Sequence, residues 1–282
     1  MYSNRIHIIE VVCLFYYIIG IFFLLLSFYS KTLSGWSLHG KNLFIRLEKD
    51  ESEKSYKLYT LKKKIDNTLI PKAYFFHFYI VGLIVNFFVL LQDFNENYNI
   101  EQNVYQILSS TSCLLQIHLF RRLLEQLFVI RTTKKSFMNI CSYLLGISFY
   151  VITPISLHSD NVKRINSVNL FALIIFITGN ILQYDSHVRL SKLRSKDLKE
   201  GDDLYKVPYG GFFNFVSCPH YLAEILIYFS FFIWNWNIIS SLNFVFVLLG
   251  LIKNGIQTHT WYLKVLGDAY PRTRKIIFPY IL

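Results

Sequence analysis

The sequence predicts an all-α integral membrane protein with seven transmembrane helices. Three observations point to this fold class: 53% of the 282 residues are hydrophobic, 18% are aromatic, and the mean hydropathy is +0.36. A soluble domain of this length carries more charge than the 17% found here. A bilayer accepts this much apolar and aromatic surface. We therefore interpret residues 1–282 as a single polytopic membrane domain.

Long runs without a charged residue define the spans, because about 20 apolar residues are needed to cross the hydrocarbon core. A further run, 225–252, is too long for one helix at about 1.5 Å per residue. The stretch Trp234–Asn237 within it favours the membrane interface. We therefore predict two helices joined by a turn there, extended to include Glu224 and Lys253. The five clear runs are Val11–Ser30, Ala73–Gln92, Gln102–Phe120, Ser136–Ser159 and Ile165–Tyr184.

The positions of lysine and arginine predict the orientation. With seven spans, 26 of the 29 basic residues fall in four segments on one side of the membrane, and such an excess marks the cytosolic side. The prediction is a lumenal N-terminus, a cytosolic C-terminus and a long cytosolic loop over residues 31–72. The net charge of +11 is thereby assigned to the membrane surface and to an anionic ligand rather than to nucleic acid.

Polar residues near the cytosolic ends of the spans indicate a site, because such groups are costly at membrane depth. His118, Arg122 and Glu125 follow the spacing i, i+4, i+7 and share one helix face. A basic helix end with arginines that extend to the surface is the alternative interpretation. It explains His118 less well, because this residue lies deeper in the span.

Two further groups of polar residues have a similar position. Gln183, His187 and Arg194 share a face if the fifth helix continues into the cytosol, and an ordinary amphipathic helix end is the alternative. A loop rich in Gly, Pro and aromatic residues then leads to His220 and Glu224, which are one turn apart where the sixth span begins. The positive end of a helix dipole favours an anion there, and a simple capping turn is the alternative.

Several signatures of other functional classes are missing from the sequence. It has no GxGxxG after a predicted strand, no Walker A motif and no HExxH motif. Its four cysteines form no CxxC pair, so we predict neither a disulfide framework nor a metal site. Any nucleotide must therefore bind without a Rossmann domain.

Two long motifs in the second half of the chain carry a family resemblance. They are LYKVPYGGFFNFVSCPHYLAEILIY and HTWYLKVLGDAYPRTRKIIFPYIL, supported by the IHLFRRLLE stretch around His118–Glu125. From about residue 114 onward the chain resembles the steroid 5-alpha-reductase family, and within it the polyprenol/polyprenal reductase branch. Residues 1–113 match only as spans. The resemblance implies a seven-span reductase of the endoplasmic reticulum membrane with NADPH as its cofactor.

The same resemblance implies a reaction. It is the reduction of the alpha-isoprene double bond of a long-chain polyprenoid, polyprenal to dolichal and overall polyprenol to dolichol, for dolichol synthesis and protein N-glycosylation. The implied partners are this lipid and the membrane, with no nucleic acid and no required protein partner. Three alternatives stay open: a steroid or other enone as substrate, a membrane methyltransferase of the isoprenylcysteine type, and a non-enzymatic membrane scaffold or channel subunit.

Site residues also follow from the resemblance. The steroid branch polarises its carbonyl with a tyrosine at the position that aligns with Leu119, and leucine cannot do this. We therefore expect His118 to be the general acid, with Tyr262 as the second candidate and Glu224 as a catalytic polar group beside them. The positions that align with cofactor contacts are Arg122, Gln183, His187, Arg194, Tyr205, His220 and Tyr262.

Overall fold

The computed structural model describes residues 2–30, 68–95, 110–132, 136–158, 167–193 and 206–281. Arg194, Tyr205 and the greater part of the predicted 31–72 loop lie outside these ranges. Within the described residues the chain forms seven long α-helices, as the sequence predicts. They are α1 (Tyr2–Tyr29), α2 (Phe76–Asn95), α3 (Thr111–Leu124), α4 (Ile140–Leu157), α5 (Ser167–Lys192), α6 (Pro219–Trp234) and α7 (Ile238–Leu266).

Five of these helices are long and apolar enough to cross a membrane, namely α1, α2, α4, α5 and α7. The other two are shorter, with 14 residues in α3 and 16 in α6. The span that contains α3 was predicted to begin at Gln102, and residues 101–109 are outside the described ranges. The chain is therefore a mainly helical, multi-pass membrane protein.

The last apolar run forms the predicted helical hairpin. Helix α6 ends at Trp234 and α7 begins at Ile238, so the turn lies within the predicted stretch. Asn237 stabilises the start of α7 through a capping box, in which its side chain accepts a hydrogen bond from the Ser240 amide at 2.8 Å. Both helices extend beyond the charge-free run, so that Glu224 lies in α6 and Lys253 in α7.

Helices α5 and α6 pack closely because Gly179 has no side chain. A Cβ atom at this position would lie 2.8 Å from Ile227 Cγ1 and 3.0 Å from the carbonyl oxygen of Ala223. Small residues allow such close helix contacts within membranes. The contact brings the last turns of α5 beside the first turns of α6.

A buried group of hydroxyl and amide side chains joins α1, α4 and α7; we call Tyr17, Thr153, Ser156 and Asn243 the hydroxyl cluster. Asn243 Nδ2 donates to the Tyr17 hydroxyl at 2.6 Å. The Tyr17 hydroxyl is 2.9 Å from Ser156 Oγ, which donates to the Thr153 carbonyl at 2.9 Å. All four side chains are buried, and their hydrogen bonds form an uninterrupted series.

A short antiparallel ribbon is present in addition to the predicted helices. Its strands are β1 (Leu69–Pro71) and β2 (Phe137–Asn139), which directly precede the segments that start α2 and α4. Asn139 also caps α4, because its side chain accepts a hydrogen bond from the Cys141 amide at 2.8 Å. The ribbon thus holds the starts of α2 and α4 side by side.

Candidate active site

The end of α3 presents the predicted polar face to its neighbouring helices. Helix α3 starts with a side-chain cap from Ser110 and ends at Leu124, and the five residues Glu125–Val129 continue as one π-helical turn. His118 and Arg122 contact side chains of α5, and Glu125 is the first residue of the π turn. The spacing read from the sequence is therefore confirmed in the folded chain.

Glu125 compensates the charge of two arginines. Its side chain is buried, Arg122 Nη1 donates to Oε2 at 2.7 Å, and Arg121 Nη1 donates to Oε1. His187 Nδ1 lies 2.7 Å from the same Oε2 atom. A buried carboxylate is tolerated only when cations and hydrogen bonds compensate it, so this residue holds the end of α3 against α5.

Gln183 lies on α5 and forms hydrogen bonds with one residue of α3 and one residue of α6. Its Oε1 accepts from Arg121 Nη2, and its Nε2 donates to Glu224 Oε2. Glu224 Oε1 in turn lies 3.6 Å from His118 Nε2. We call the whole group the charged cluster, with the members His118, Arg121, Arg122, Glu125, Gln183, His187 and Glu224.

His118 is completely buried and has two different environments at its two ring nitrogens. Nδ1 lies 3.3 Å from Asn180 Oδ1 and 3.3 Å from Arg121 Nη2. Nε2 has no hydrogen-bond partner among the described residues. Buried polar atoms are nearly always hydrogen-bonded, so this nitrogen is available to a group that enters the cluster.

Helix α2 contributes Tyr79 to the cluster. Arg122 Nη2 donates to the Tyr79 hydroxyl at 2.6 Å, and the guanidinium carbon lies 5.0 Å from the centre of the Tyr79 ring. The arginine is thus fixed by a hydrogen bond and a cation–π contact in addition to its ion pair.

The loop before α6 lies on an ion pair at the end of α5. Asp185 and Arg189 form this pair, with 2.7 Å between Oδ2 and Nε. Gly210 and Gly211 have φ values of 86° and 54°, and a Cβ atom on Gly211 would lie 2.8 Å from Asp185 Oδ2. Only glycine combines this backbone conformation with so close an approach.

The loop leads to His220 in the first turn of α6. The rings of His220 and His187 have their centres 5.9 Å apart, so His220 lies beside the charged cluster. Glu224 follows one turn later and is itself a member of the cluster. The amides at the start of α6 add the positive end of a helix dipole to this region.

A segment near the C-terminus fixes the other end of the same loop. Val216 and Lys275 form a parallel bridge, the Ser217 amide donates to the Lys275 carbonyl at 2.8 Å, and the Cys218 amide donates to the Ile276 carbonyl at 3.1 Å. We call this pairing of residues 215–218 with residues 275–276 the C-terminal clasp.

Ser217 also contacts a second group of side chains, most of which are aromatic. Its Oγ lies 2.6 Å from His259 Nδ1 and accepts a hydrogen bond from the Tyr270 hydroxyl at 2.6 Å. Burial raises the pKa of Tyr270, so its phenol stays protonated and can donate. The Tyr262 ring stacks on Tyr270 with 5.0 Å between ring centres, and Arg274 Nη1 donates to the Pro208 carbonyl at 2.8 Å.

The structure brings most of the residues predicted from the sequence into one place. His118, Arg122, Gln183, His187 and Glu224 belong to the charged cluster, and His220 lies beside it. Tyr262, the second candidate for the acid, belongs instead to the aromatic group around Tyr270. Arg194 and Tyr205 are outside the described residues.

Two residues of the site were missed by the sequence analysis. Asn180 precedes Gln183 by three residues and His187 by seven, so helical spacing alone could have placed it on their face. It was overlooked because it lies inside an apolar run. Tyr79 carries no such signal, since its role depends on how α2 packs against α3, and it is one of 20 tyrosines.

Comparison with known proteins identifies the family. The model of the family described as 3-oxo-5-alpha-steroid 4-dehydrogenase matches residues 125–282. A polyprenal reductase of Saccharomyces cerevisiae is 31% identical over 79% of this chain and 79% of its own length. One of Caenorhabditis elegans is 30% identical over 77% and 81%, and polyprenal reductase 1 of Oryza sativa subsp. indica is 28% identical over 75% and 79%.

The family match begins at Glu125 and includes the Gly-Gly loop and the C-terminal clasp. It therefore covers the α5 and α6 sides of the charged cluster. The matches to the three reductases extend over three quarters or more of the chain. This chain belongs to the steroid 5-alpha-reductase family, in its polyprenal reductase branch, and is an oxidoreductase.

Proposed function

We propose that this protein catalyses the NADPH-dependent reduction of the alpha-isoprene double bond of polyprenal, which gives dolichal. The overall conversion is polyprenol to dolichol, for dolichol synthesis and protein N-glycosylation. One observation carries the proposal: a buried charged cluster lies where α3, α5 and α6 meet, in a chain whose relatives are named as polyprenal reductases.

The chemistry of an enal explains why such a site is needed. A double bond conjugated to an aldehyde accepts hydride at its β carbon, and negative charge then develops on the aldehyde oxygen. NADPH supplies the hydride when it is bound. A proton donor near the oxygen stabilises this enolate charge, and one proton then adds to the α carbon, so that the aldehyde carbonyl is restored. The allylic alcohol lacks this polarisation, so the aldehyde is the better substrate.

The side chains of the site fit a nicotinamide dinucleotide in their chemistry. Gln183, His187 and His220 offer amide and imidazole groups for hydrogen bonds, and Arg122 offers a positive charge. The start of α6, where His220 lies, suits an anionic group such as a pyrophosphate. Arg194, Tyr205 and Tyr262 complete the proposed cofactor set. The Nε2 atom of His118, which makes no hydrogen bond among the described residues, further supports a bound molecule at this place.

His118 is the proposed general acid. Its Nε2 is buried and makes no hydrogen bond among the described residues, and the carboxylate of Glu224 lies 3.6 Å from it. An imidazole in this position can carry a proton on Nε2 and pass it to a substrate oxygen. Tyr262 is a weaker candidate, because it stacks on Tyr270 in the aromatic group.

The proposed membrane arrangement matches this use of the site. All seven helices cross the endoplasmic reticulum membrane as a single polytopic domain, with the N-terminus lumenal, the C-terminus cytosolic and residues 31–72 as a cytosolic loop. Residues 114–282 carry the catalytic part. The support comes from the basic residues, 26 of 29 on one side. The expected partners are the lipid substrate and the membrane, without an obligatory protein partner.

The experiment described below also distinguishes polyprenal from other substrates. A steroid enone would require another group to polarise its carbonyl, because Leu119 occupies the position of the steroid branch's tyrosine. The leucine side chain has no polar atom that could contact a carbonyl, and it is buried in the apolar core cluster. A methyltransferase of the isoprenylcysteine type would bind S-adenosylmethionine instead of NADPH.

The decisive experiment uses the full chain in detergent or reconstituted vesicles. Polyprenal and NADPH should give dolichal, whereas polyprenol or a steroid enone should react far more slowly, and S-adenosylmethionine should not bind. Replacement of the acid, His118→Phe, should lower kcat by about 10²- to 10⁴-fold, the usual contribution of a general acid. The dissociation constant of NADPH should change little, because the ring is replaced by another planar ring.

A histidine outside the cluster provides the matched control. His77 lies in the first turn of α2 and its Nδ1 is 2.9 Å from the Tyr143 hydroxyl. His77→Phe should keep the wild-type kcat. Reduction of a steroid enone in preference to polyprenal, or an absence of NADPH oxidation with polyprenal, would contradict the proposed function. An unchanged kcat in His118→Phe would remove His118 as the acid.

A further inference from the structure

Asn180 contacts both His118 and Arg121 on the neighbouring helix α3. It lies on α5, four residues after Phe176, and its Nδ2 donates to the Phe176 carbonyl at 2.7 Å. A carbonyl can only accept, so the amide nitrogen must be on that side. Asn180 Oδ1 is therefore directed towards α3, where it accepts from Arg121 Nε at 2.7 Å.

The same oxygen lies 3.3 Å from His118 Nδ1. Because Oδ1 can only accept, a hydrogen bond between these atoms requires a hydrogen on Nδ1. Which ring nitrogen of a histidine carries the exchangeable proton is set by the partner of the other nitrogen. Asn180 thus favours the forms of His118 in which Nδ1 is protonated and Nε2 exchanges its proton.

Arg121 acts in the opposite direction. Its Nη2 is also 3.3 Å from His118 Nδ1, and a guanidinium can only donate. On its own it would favour a bare Nδ1 and a neutral ring with its hydrogen fixed on Nε2. That form is a very weak acid. Asn180 is therefore the described contact that makes the acidic form of His118 compatible with this position.

We propose that Asn180 is a positioning residue that holds the proton on His118 Nδ1, so that Nε2 serves as the proton donor to the substrate. This inference rests on the proposed function, in which His118 is the general acid. In the fully protonated ring, acceptors face both nitrogens: Asn180 Oδ1 at Nδ1 and Glu224 Oε1, 3.6 Å away, at Nε2. After Nε2 gives up its proton, the contact with Asn180 keeps the ring in place.

The dependence of kcat on pH will also reflect the other charged and titratable groups near His118. On its own helix they are Arg121, Arg122 and, at the π turn, Glu125. The other helices contribute Asn180, Gln183 and His187 from α5, Glu224 from α6 and Tyr79 from α2. A change at position 180 alters one contact of His118 and one of Arg121 Nε, whereas the ion pairs of Glu125 use other nitrogens, Arg121 Nη1 and Arg122 Nη1.

Two substitutions change this contact in opposite directions. Asn180→Leu removes the acceptor, so protonation of His118 becomes less favourable and the decline of kcat at alkaline pH should move to lower pH. Its kcat at neutral pH should fall about tenfold to a hundredfold, a part of the effect of a general acid. Asn180→Asp places a carboxylate opposite Nδ1, so the same decline should move to higher pH while activity is retained.

The measurements are kcat as a function of pH with saturating polyprenal and NADPH, and the dissociation constant of NADPH for each variant. Asn243→Leu is the matched control, because it removes a buried asparagine from the hydroxyl cluster; it should leave the pH profile unchanged. If Asn180 only connected α5 to α3, both variants would lose thermal stability without any shift of the profile.

The outcomes separate this inference from the proposed function. An active wild-type enzyme with an unshifted profile in Asn180→Asp overturns the role of Asn180 and leaves the function intact. This result is decisive even if Asn180→Leu does not fold. A wild-type enzyme that does not reduce polyprenal overturns both proposals. Opposite shifts in the two variants, with unchanged NADPH binding, support the inference.

Discussion

Two buried polar clusters stabilise this helical bundle, and they differ in composition. The hydroxyl cluster joins the end of α4 to the start of α7 and contains only neutral groups, each of which takes part in a hydrogen bond. The charged cluster joins the end of α3 to the start of α6 and contains two arginines, two glutamates and two histidines. One of its buried nitrogens, His118 Nε2, makes no hydrogen bond among the described residues.

The difference separates a structural role from a chemical one. Neutral side chains with satisfied hydrogen bonds hold helices together at little electrostatic cost. Charged and imidazole groups need compensation in an apolar environment, and they are useful where charge develops during a reaction. We therefore expect substitutions in the charged cluster to affect turnover, and substitutions in the hydroxyl cluster to affect stability alone.

The largest expected effect is that of Glu125→Ala. Loss of this carboxylate leaves Arg121 and Arg122 without the ion-pair partner that they share, and breaking a buried ion pair in this way costs about 3–5 kcal/mol. We expect a large fall in the thermal unfolding temperature in detergent, together with loss of dolichal formation.

The neighbouring Gln126→Ala serves as the control for Glu125→Ala, because this residue is buried nearby but belongs to neither cluster. It should lose less stability and keep measurable turnover. Equal stability losses in the two variants would mean that Glu125 is not the centre of charge compensation.

A smaller effect is expected for Gly211→Ala in the loop before α6. A residue other than glycine held in this conformation costs about 1–3 kcal/mol, and the added Cβ would also press on Asp185 Oδ2 at 2.8 Å. The loop should shift away from α5 and carry His220 with it. The KM for NADPH should therefore rise more than kcat falls.

Gly267→Ala is the control that tests backbone strain without a contact such as that between a Cβ atom on Gly211 and Asp185. Gly267 has a φ of 53°, almost the same as Gly211, but an added Cβ there meets no atom within 4 Å. It should lose stability without a change in the KM for NADPH. The same KM in both variants would show that the contact with the ion pair of α5 has no influence on cofactor binding.

The smallest effect is predicted for Tyr17→Phe in the hydroxyl cluster. This change removes the hydroxyl that accepts from Asn243 and contacts Ser156, and loss of such a hydrogen bond costs about 1 kcal/mol. We expect a slightly lower unfolding temperature and a wild-type kcat. A fall in kcat at unchanged stability would contradict the division between the two clusters.

The sequence was sufficient to predict the helices and one face of the site. Charge-free runs predicted all seven helices, and the length of the last run predicted the final hairpin, whose second helix begins with the capping box at Asn237. Helical spacing correctly grouped His118 with Arg122 and Glu125, because spacing within one helix does not depend on neighbouring elements. Leu119, which the resemblance aligns with the steroid branch's tyrosine, is buried in the apolar core, and the assignment of the acid to His118 stays a prediction.

Contacts between distant segments were beyond the reach of the sequence. The rotation of α2 decides whether Tyr79 meets Arg122, and no local pattern encodes it. The pairing of Val216 with Lys275 joins residues far apart in the chain. For the same reason, Tyr262 was grouped with the cofactor contacts by resemblance alone, whereas the structure shows it stacked on Tyr270. The roles of Arg194 and Tyr205 stay predictions.

The C-terminal clasp has a consequence for biosynthesis. The backbone groups that fix residues 215–218 belong to Lys275 and Ile276, which leave the ribosome only after α6 and α7 have been made. The loop that carries His220 therefore cannot reach its final conformation while the helices are being inserted one after another. Competence to bind the proposed cofactor should therefore arise in a late step, after α6 and α7 have been made.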